Sequence, residues 1–157
     1  MIELGILADD LTGGMMVASL LEREGISCPL VSSIDELESI TDSDAQAVVV
    51  ARKIRLIAPD EARLEAVRTV KALQSIGCKR FYYKYCATFD STTDGNIGPI
   101  AEAMLETLNT EKTVFCPAFP EYTVTIFQGR MFLGSTPLGD SFKQLSLIHI
   151  SEPTRPY

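Results

Sequence analysis

The chain has 157 residues, a formal net charge of −7 at pH 7, and 46% hydrophobic against 22% charged residues. That length suits one domain with an ordinary core or one half of a longer two-domain protein, and no apolar run is long enough to cross a bilayer. The acidic balance excludes broad contact with DNA or RNA, which needs clustered Lys and Arg, and Met1-Ile2-Glu3 lacks the basic start of a secretory signal, so a cytoplasmic location is the expectation.

Leu4 to Ala8 is a short apolar run of the kind that forms a strand buried on both faces, and it ends at Asp9-Asp10-Leu11-Thr12-Gly13-Gly14. A helix fits from about Met15 to Glu24, with Val17, Leu20 and Leu21 on its inner side and Gly25 as its stop. Cys28 to Val31 reads as a weak strand, Ser32 to Asp44 as an acidic connection with a short helix at Asp35 to Ser39, and Ala47 to Ala51 as a strand. Arg52, Lys53 and Arg55 follow it directly. Pro59-Asp60-Glu61 marks a helix start, and Ala62, Ala66, Val70 and Leu73 recur at helical spacing up to Gly77.

Phe81, Tyr82, Tyr83 and Tyr85 predict a strand that carries Lys84 and breaks into the polar loop Thr88 to Gly98. Pro99 suits a first helical position, with Ile100, Met104 and Leu108 continuing to about Asn109, so the positive end of this helix should face the loop as a seat for an anion. The same residue types also make ordinary connections between strand and helix. Thr113 to Cys116 predicts another strand, ending at Pro117 to Pro120, and Thr123 to Leu133 one or two more. Strands alternating with helices imply an α/β fold in three layers, a mostly parallel sheet with helices on both faces. Ligands in such sheets sit beyond the carboxyl ends of the strands. Asp9-Asp10, Arg52 to Arg55, Lys84 to Asn96 and Pro117 to Pro120 should therefore converge on one edge.

Several chemistries drop out. The sequence has neither G-x-x-x-x-G-K-[ST] nor G-x-G-x-x-G, which removes a standard nucleotide cradle and a dinucleotide fingerprint. Cys28, Cys78, Cys86 and Cys116 are widely spread, with His149 the only histidine, so no zinc set is expected and the thiols read as reduced, mostly buried apolar residues. Adjacent carboxylates at Asp9 and Asp10 can hold a divalent cation, accept protons from hydroxyls, act as a general base, or cap a helix.

Together, Ala8 to Gly13, the basic stretch ending in Arg55, the run Lys84 to Pro99 and Cys116 to Glu121 resemble the four-carbon acid sugar kinase family in order and spacing, most closely its 3-oxo-tetronate kinase branch. The resemblance implies an N-terminal domain that binds a small-molecule acid sugar and a separate C-terminal nucleotide domain, absent here, that brings ATP and Mg²⁺. By the same resemblance Asp9 and Asp10 are catalytic, one of them orienting or deprotonating the terminal hydroxyl that receives the phosphoryl group. Thr12, Arg55, Lys84, Asp90, Ser91, Thr92 and Asn96 bind the sugar. No metal or cofactor is expected on this chain, no nucleic acid or membrane partner is implied, and an apolar face left by the missing domain would favour a homo-oligomer.

Two departures from the family pattern bear on the sugar. Gly14-Met15-Met16 stands where the family has Ala-Asn-Asp, and Tyr122 to Thr125 replaces a Gly-Arg-Thr segment. Residues 145–157, LSLIHISEPTRPY, break from the pattern altogether, offer no core face and read as a non-native tail carrying His149 without a function, which leaves 1–144 as the domain. The expectation is a substrate-binding half that is inactive alone. The competing readings are a stand-alone sugar-acid binding or regulatory module and an α/β interaction domain without a ligand.

Overall fold

The structure is a computed structural model that describes residues 2–40, 44–87, 89 and 95–141. Its first strand, β1 (Leu4–Ala8), is flanked on one side by β3 (Ala47–Ala51) and on the other by β4 (Arg80–Lys84), and β2 (Leu30–Val31) lies outside β3. All these pairings are parallel. A parallel strand covered on both faces must be apolar throughout, and all five residues of β3 are buried. Helix α1 (Leu11–Arg23) covers one face, where Val17 and Leu21 pack on Ile6, Ala8, Val49 and Ala51. Helices α2 (Pro59–Ser75) and α3 (Ile97–Leu108) cover the other, with Val70 and Ile100 against Leu7 and Tyr83. The fold is the three-layer α/β architecture the sequence implies.

The register puts Ala8 opposite Ala51 on one side and Lys84 on the other, so three strands end in one row. Chain order reverses between β1 and β4, because the chain moves out to β2 and β3 and then crosses back beyond β1. The crevice at that reversal is where open α/β sheets hold ligands.

Three elements differ from the sequence reading. Helix α1 starts at Leu11, ahead of Met15, because Asp10 caps it by accepting the Gly13 N–H at 2.6 Å. Gly13 and Gly14 are helical residues selected for close approach. A Cβ on Gly14 would lie 2.9 Å from the Ala51 Cβ, and one on Gly13 would lie 2.7 Å from Asp10 Oδ1. Helix α3 starts at Ile97, which puts Pro99 at its third position, where a helix N–H has no intrahelical partner and proline is tolerated. Thr113 to Cys116 forms no strand. A strand needs a ladder partner, and here Val114 is 86% exposed while the Phe115 ring sits 6.0 Å from the rings of Tyr85 and Phe89.

Thr123 to Leu133, expected to give one or two strands, gives β5 (Val124–Phe127) and β6 (Arg130–Leu133), which with β7 (Thr136–Pro137) make an antiparallel meander. Gln128 and Gly129 link β5 to β6 with φ of 48° and 74°, the left-handed pair that suits a tight hairpin. No described helix is long and apolar enough to cross a membrane.

Candidate functional site

The site grows from the common last row of the sheet. Just beyond it the Asp9 N–H donates to the Lys84 carbonyl at 3.1 Å, Arg52 N–H to Ala8 at 2.8 Å, and Ile54 N–H to Asp9 at 3.2 Å. These bonds tie the loops after β1, β3 and β4 together and bring Asp9-Asp10, Arg52 to Arg55 and Lys84 to one edge, as expected. Residues 117–120 do not take part in these bonds. Phe119 instead pairs with Val124 and stacks on Tyr122.

Asp9 is 1% exposed, and both its oxygens face one guanidinium: Arg55 Nη2 lies 2.7 Å from Oδ1 and Nε 3.2 Å from Oδ2. Arg55 Nη1 is 3.0 Å from Asp10 Oδ2, while Asp10 Oδ1 caps α1. One arginine thus spans the aspartate pair in the fork geometry that suits carboxylates. Burial pushes the Asp9 carboxyl above its ordinary value, against the hydrogen bonds and charge of Arg55. Burial would lower the Arg55 guanidinium, but the bonds and charge of Asp9 outweigh it and hold the group charged.

Lys84 is 8% exposed. Its ammonium donates to the Tyr85 carbonyl and lies against the first turn of α1, 3.6 Å from where a Cβ on Gly13 would be. Burial pulls its pKa down, opposed by the charge of Asp9. No ion pair of Lys84 occurs among the described residues. Asn96 is buried beside the same loops, with Nδ2 2.7 Å from the Ile54 carbonyl, 3.2 Å from that of Arg55 and 2.9 Å from that of Ile57. Thr12 is exposed in the first turn of α1. The structure therefore brings Asp9, Asp10, Arg55, Lys84, Asn96 and the Thr12 turn to one edge. Asp90, Ser91 and Thr92 lie outside the described residues.

The basic stretch divides. Arg52 turns outward to Glu65 and the Ser32 carbonyl, while Arg55 turns inward. Beside them Leu11, Arg52, Lys53, Ile54 and Glu61 line a cleft of about 420 Å³. Cys86 is buried, and none of the four cysteines is in a disulfide. Two participants were named in the sequence reading without a place in the site. Gly13 was readable from its spacing, three residues after a capping Asp10. The buried, partnerless hydroxyl of Tyr83, whose pKa is raised by burial and then by the Asp9 charge, left no mark in the pattern.

In chemical terms the edge offers a prebuilt acid–arginine cluster, a buried ammonium at a helix N-terminus, and one partly exposed carboxylate. A protein from Cupriavidus necator named 3-oxo-tetronate kinase is 42% identical over 139 residues, covering 88% of this chain and 32% of its own. One of the same name from Pseudomonas fluorescens is 43% identical over 141 residues, covering 90% and 33%. The chain thus spans about a third of the length of these curated relatives. Among solved structures, a Haemophilus influenzae protein of the DUF1537 family superposes with a TM-score of 0.82 at 37% identity, over 92% of this chain and 34% of that one. A DUF1537 domain of unknown function from Bordetella bronchiseptica, solved as a domain-swapped dimer with bound citrate, gives 0.78 at 25% identity, over 94% and 37%. The model of the sugar-binding N-terminal domain matches residues 4–146, and the chain belongs to that family.

Proposed function

We propose that residues 1–144 bind the substrate of an ATP-dependent kinase that phosphorylates the terminal hydroxyl of a four-carbon acid sugar, 3-oxo-tetronate or a close analogue. The observation that carries this reading is Lys84, a buried ammonium beside a helix N-terminus, next to two carboxylates whose oxygens are bridged by Arg55. Lys84 feels the charges of Asp9 and Asp10 but makes no contact ion pair among the described residues, so its ammonium keeps donors for a substrate carboxylate, aided by the open N–H groups of α1. In this scheme Arg55 serves the aspartates and Lys84 the substrate.

Of the two acids, Asp10 retains 31% side-chain exposure against 2% for Asp9, so Asp10 orients the accepting hydroxyl and Asp9 holds Arg55. Thr12, Asp90, Ser91 and Thr92 take the remaining hydroxyls. The relatives' name supports kinase chemistry, and the citrate in the Bordetella structure supports recognition of a small carboxylate. Its domain-swapped dimer supports self-association alongside the proposed C-terminal nucleotide domain. With both aspartates engaged by Arg55, the pair does not fit as a ligand set for a divalent cation. ATP and Mg²⁺ are therefore assigned to the rest of a longer kinase, and this chain alone binds without turnover.

Thermal unfolding with a four-carbon aldonic acid and with the matching uncharged polyol tests the reading, because a ligand that binds only the folded state raises the transition temperature. The acid should stabilise and the polyol should not. Lys84→Met should abolish that response while the unliganded chain still unfolds cooperatively. No response to any four-carbon acid, or an equal one to acid and polyol, would sink the proposal.

A further inference from the structure

Asn96 occupies the capping position of α3 yet makes no side-chain cap there. Asparagine at such a position ordinarily accepts an N–H bond from its own first turn. Here the side chain turns away from its helix, and its Nδ2 faces the carbonyls of Ile54, Arg55 and Ile57, while its Oδ1 is buried with no hydrogen-bond partner. A buried acceptor left unpaired is unfavourable, so the arrangement persists because the donor side is worth more.

The segment it holds is fixed by the buried Ile54 side chain, by the Arg52 contacts and by backbone bonds to Ala8 and Asp9, but Asn96 is the side chain that engages its carbonyls. Residues 52–58 have no regular structure, and α2 begins after Ala58 without a side-chain cap. Arg55 is in the middle of this segment. Its guanidinium must meet Asp9 and Asp10 across 46 residues of sequence in the first case, and the backbone carrying it is anchored on one side by the Ile54 N–H bond to Asp9. Asn96 is the anchor on the other side.

We infer that Asn96 is a positioning residue: by clamping the Ile54, Arg55 and Ile57 carbonyls it sets the guanidinium of Arg55, and through it the orientation of the Asp9–Asp10 pair. It does not touch the sugar. This gives the proposed site a support that couples the start of α3 to the loop after β3, and its importance for sugar binding rests on the acid-sugar reading above.

The test follows the side-chain signals of the ¹⁵N-labelled full chain. In the wild type the Arg55 Nε–H and the Asn96 amide protons should exchange slowly with solvent. Asn96→Ala should speed Arg55 Nε–H exchange by about tenfold, the equivalent of one lost buried hydrogen bond. Backbone amides of β1 and β3 should keep their protection. A purely structural role would loosen those amides together with Arg55 or leave Arg55 unchanged, and either result overturns the inference. If Asn96→Ala does not fold, Asn96→Ser supplies the same comparison. Wild-type Asn96 amide protons exchanging as fast as those of an exposed asparagine also overturn the clamp. Because these signals need no ligand, failure of the wild type to bind any four-carbon acid would end the kinase reading and leave the Arg55 result standing. If the wild type does bind, the acid should bind Asn96→Ala more weakly, with Arg55 exchange already raised before ligand is added.

Discussion

The parallel sheet and the antiparallel meander are built from similar residues, yet one buries a cluster of charges and the other buries almost nothing. In the sheet, helices on both faces leave Ile6, Leu7, Val48 and Val49 without exposure, and the buried polar side chains Asp9, Lys84 and Asn96 gather at its carboxyl end. In the meander Phe127 is 66% and Ile126 42% exposed, with Val124 buried and Leu138 buried just after β7. Its strands and turns pack mainly on one another, and Arg23 reaches Glu121 through an exposed pair at 3.0 Å. Buried charges need a frame that fixes their partners to within tenths of an ångström, and only the layered body provides one.

The contrast predicts a wide range of effects. Arg55→Met should be the most damaging, because it leaves Asp9 buried without its counter-ion, at a cost of about 3–5 kcal/mol near neutral pH in urea unfolding. The sign with pH follows from Asp9, whose folded pKa lies above the ordinary 3.8. Its contribution is full below that ordinary value and lost as pH rises through the folded one. Losing Arg55 raises the folded value further, so the gap to wild type should narrow on acidification. A gap independent of pH would mean that Asp9 is not the group responsible.

A smaller effect separates two glycines given the same substitution. Gly14→Ala places a methyl 2.9 Å from the Ala51 Cβ and should destabilise by about 1–3 kcal/mol. Gly98→Ala meets nothing within 4 Å apart from its chain neighbours and should change stability by less than about 1 kcal/mol, the gain in helix propensity being offset by Pro99 after it. Equal effects at the two sites would contradict the close approach of α1 to the sheet. Thiol labelling of the native chain should divide in the same way. Cys116 is exposed, whereas burial pushes Cys28 and Cys78 up to about 11, so the exposed thiol should react faster than either by about a hundredfold or more. Smallest of all, Glu121→Ala should leave the unfolding midpoint unchanged. A clear drop would show that the meander is held to the body more firmly than its contacts indicate.

Where the layers dictate the chain, the sequence was legible. The strands Leu4–Ala8 and Ala47–Ala51 and the helix start at Pro59 were readable residue for residue, because a doubly covered strand must be apolar and a proline–acid pair has few other uses. Legibility failed where a residue's meaning depended on a distant neighbour. Gly13 and Gly14 looked like loop until Asp10 and Lys84 were seen beside the first and β3 behind the second. Thr113 to Cys116 has strand propensity but no ladder, and propensity cannot supply a partner. Arg55 was assigned to the sugar on resemblance, and no spacing in the chain announced its fork onto Asp9.

The shared last row formed by Ala8, Ala51 and Lys84 has a consequence for how such a domain can diverge. An extra residue within any of those strands would lift its loop by about 3.3 Å and turn every side chain after it to the opposite face. New ligand preferences are therefore open to substitutions beyond that baseline and closed to changes in strand length beneath it. Insertions should accumulate on the far rim of the sheet and in the hairpin turns, where no other loop depends on the height at which the chain departs.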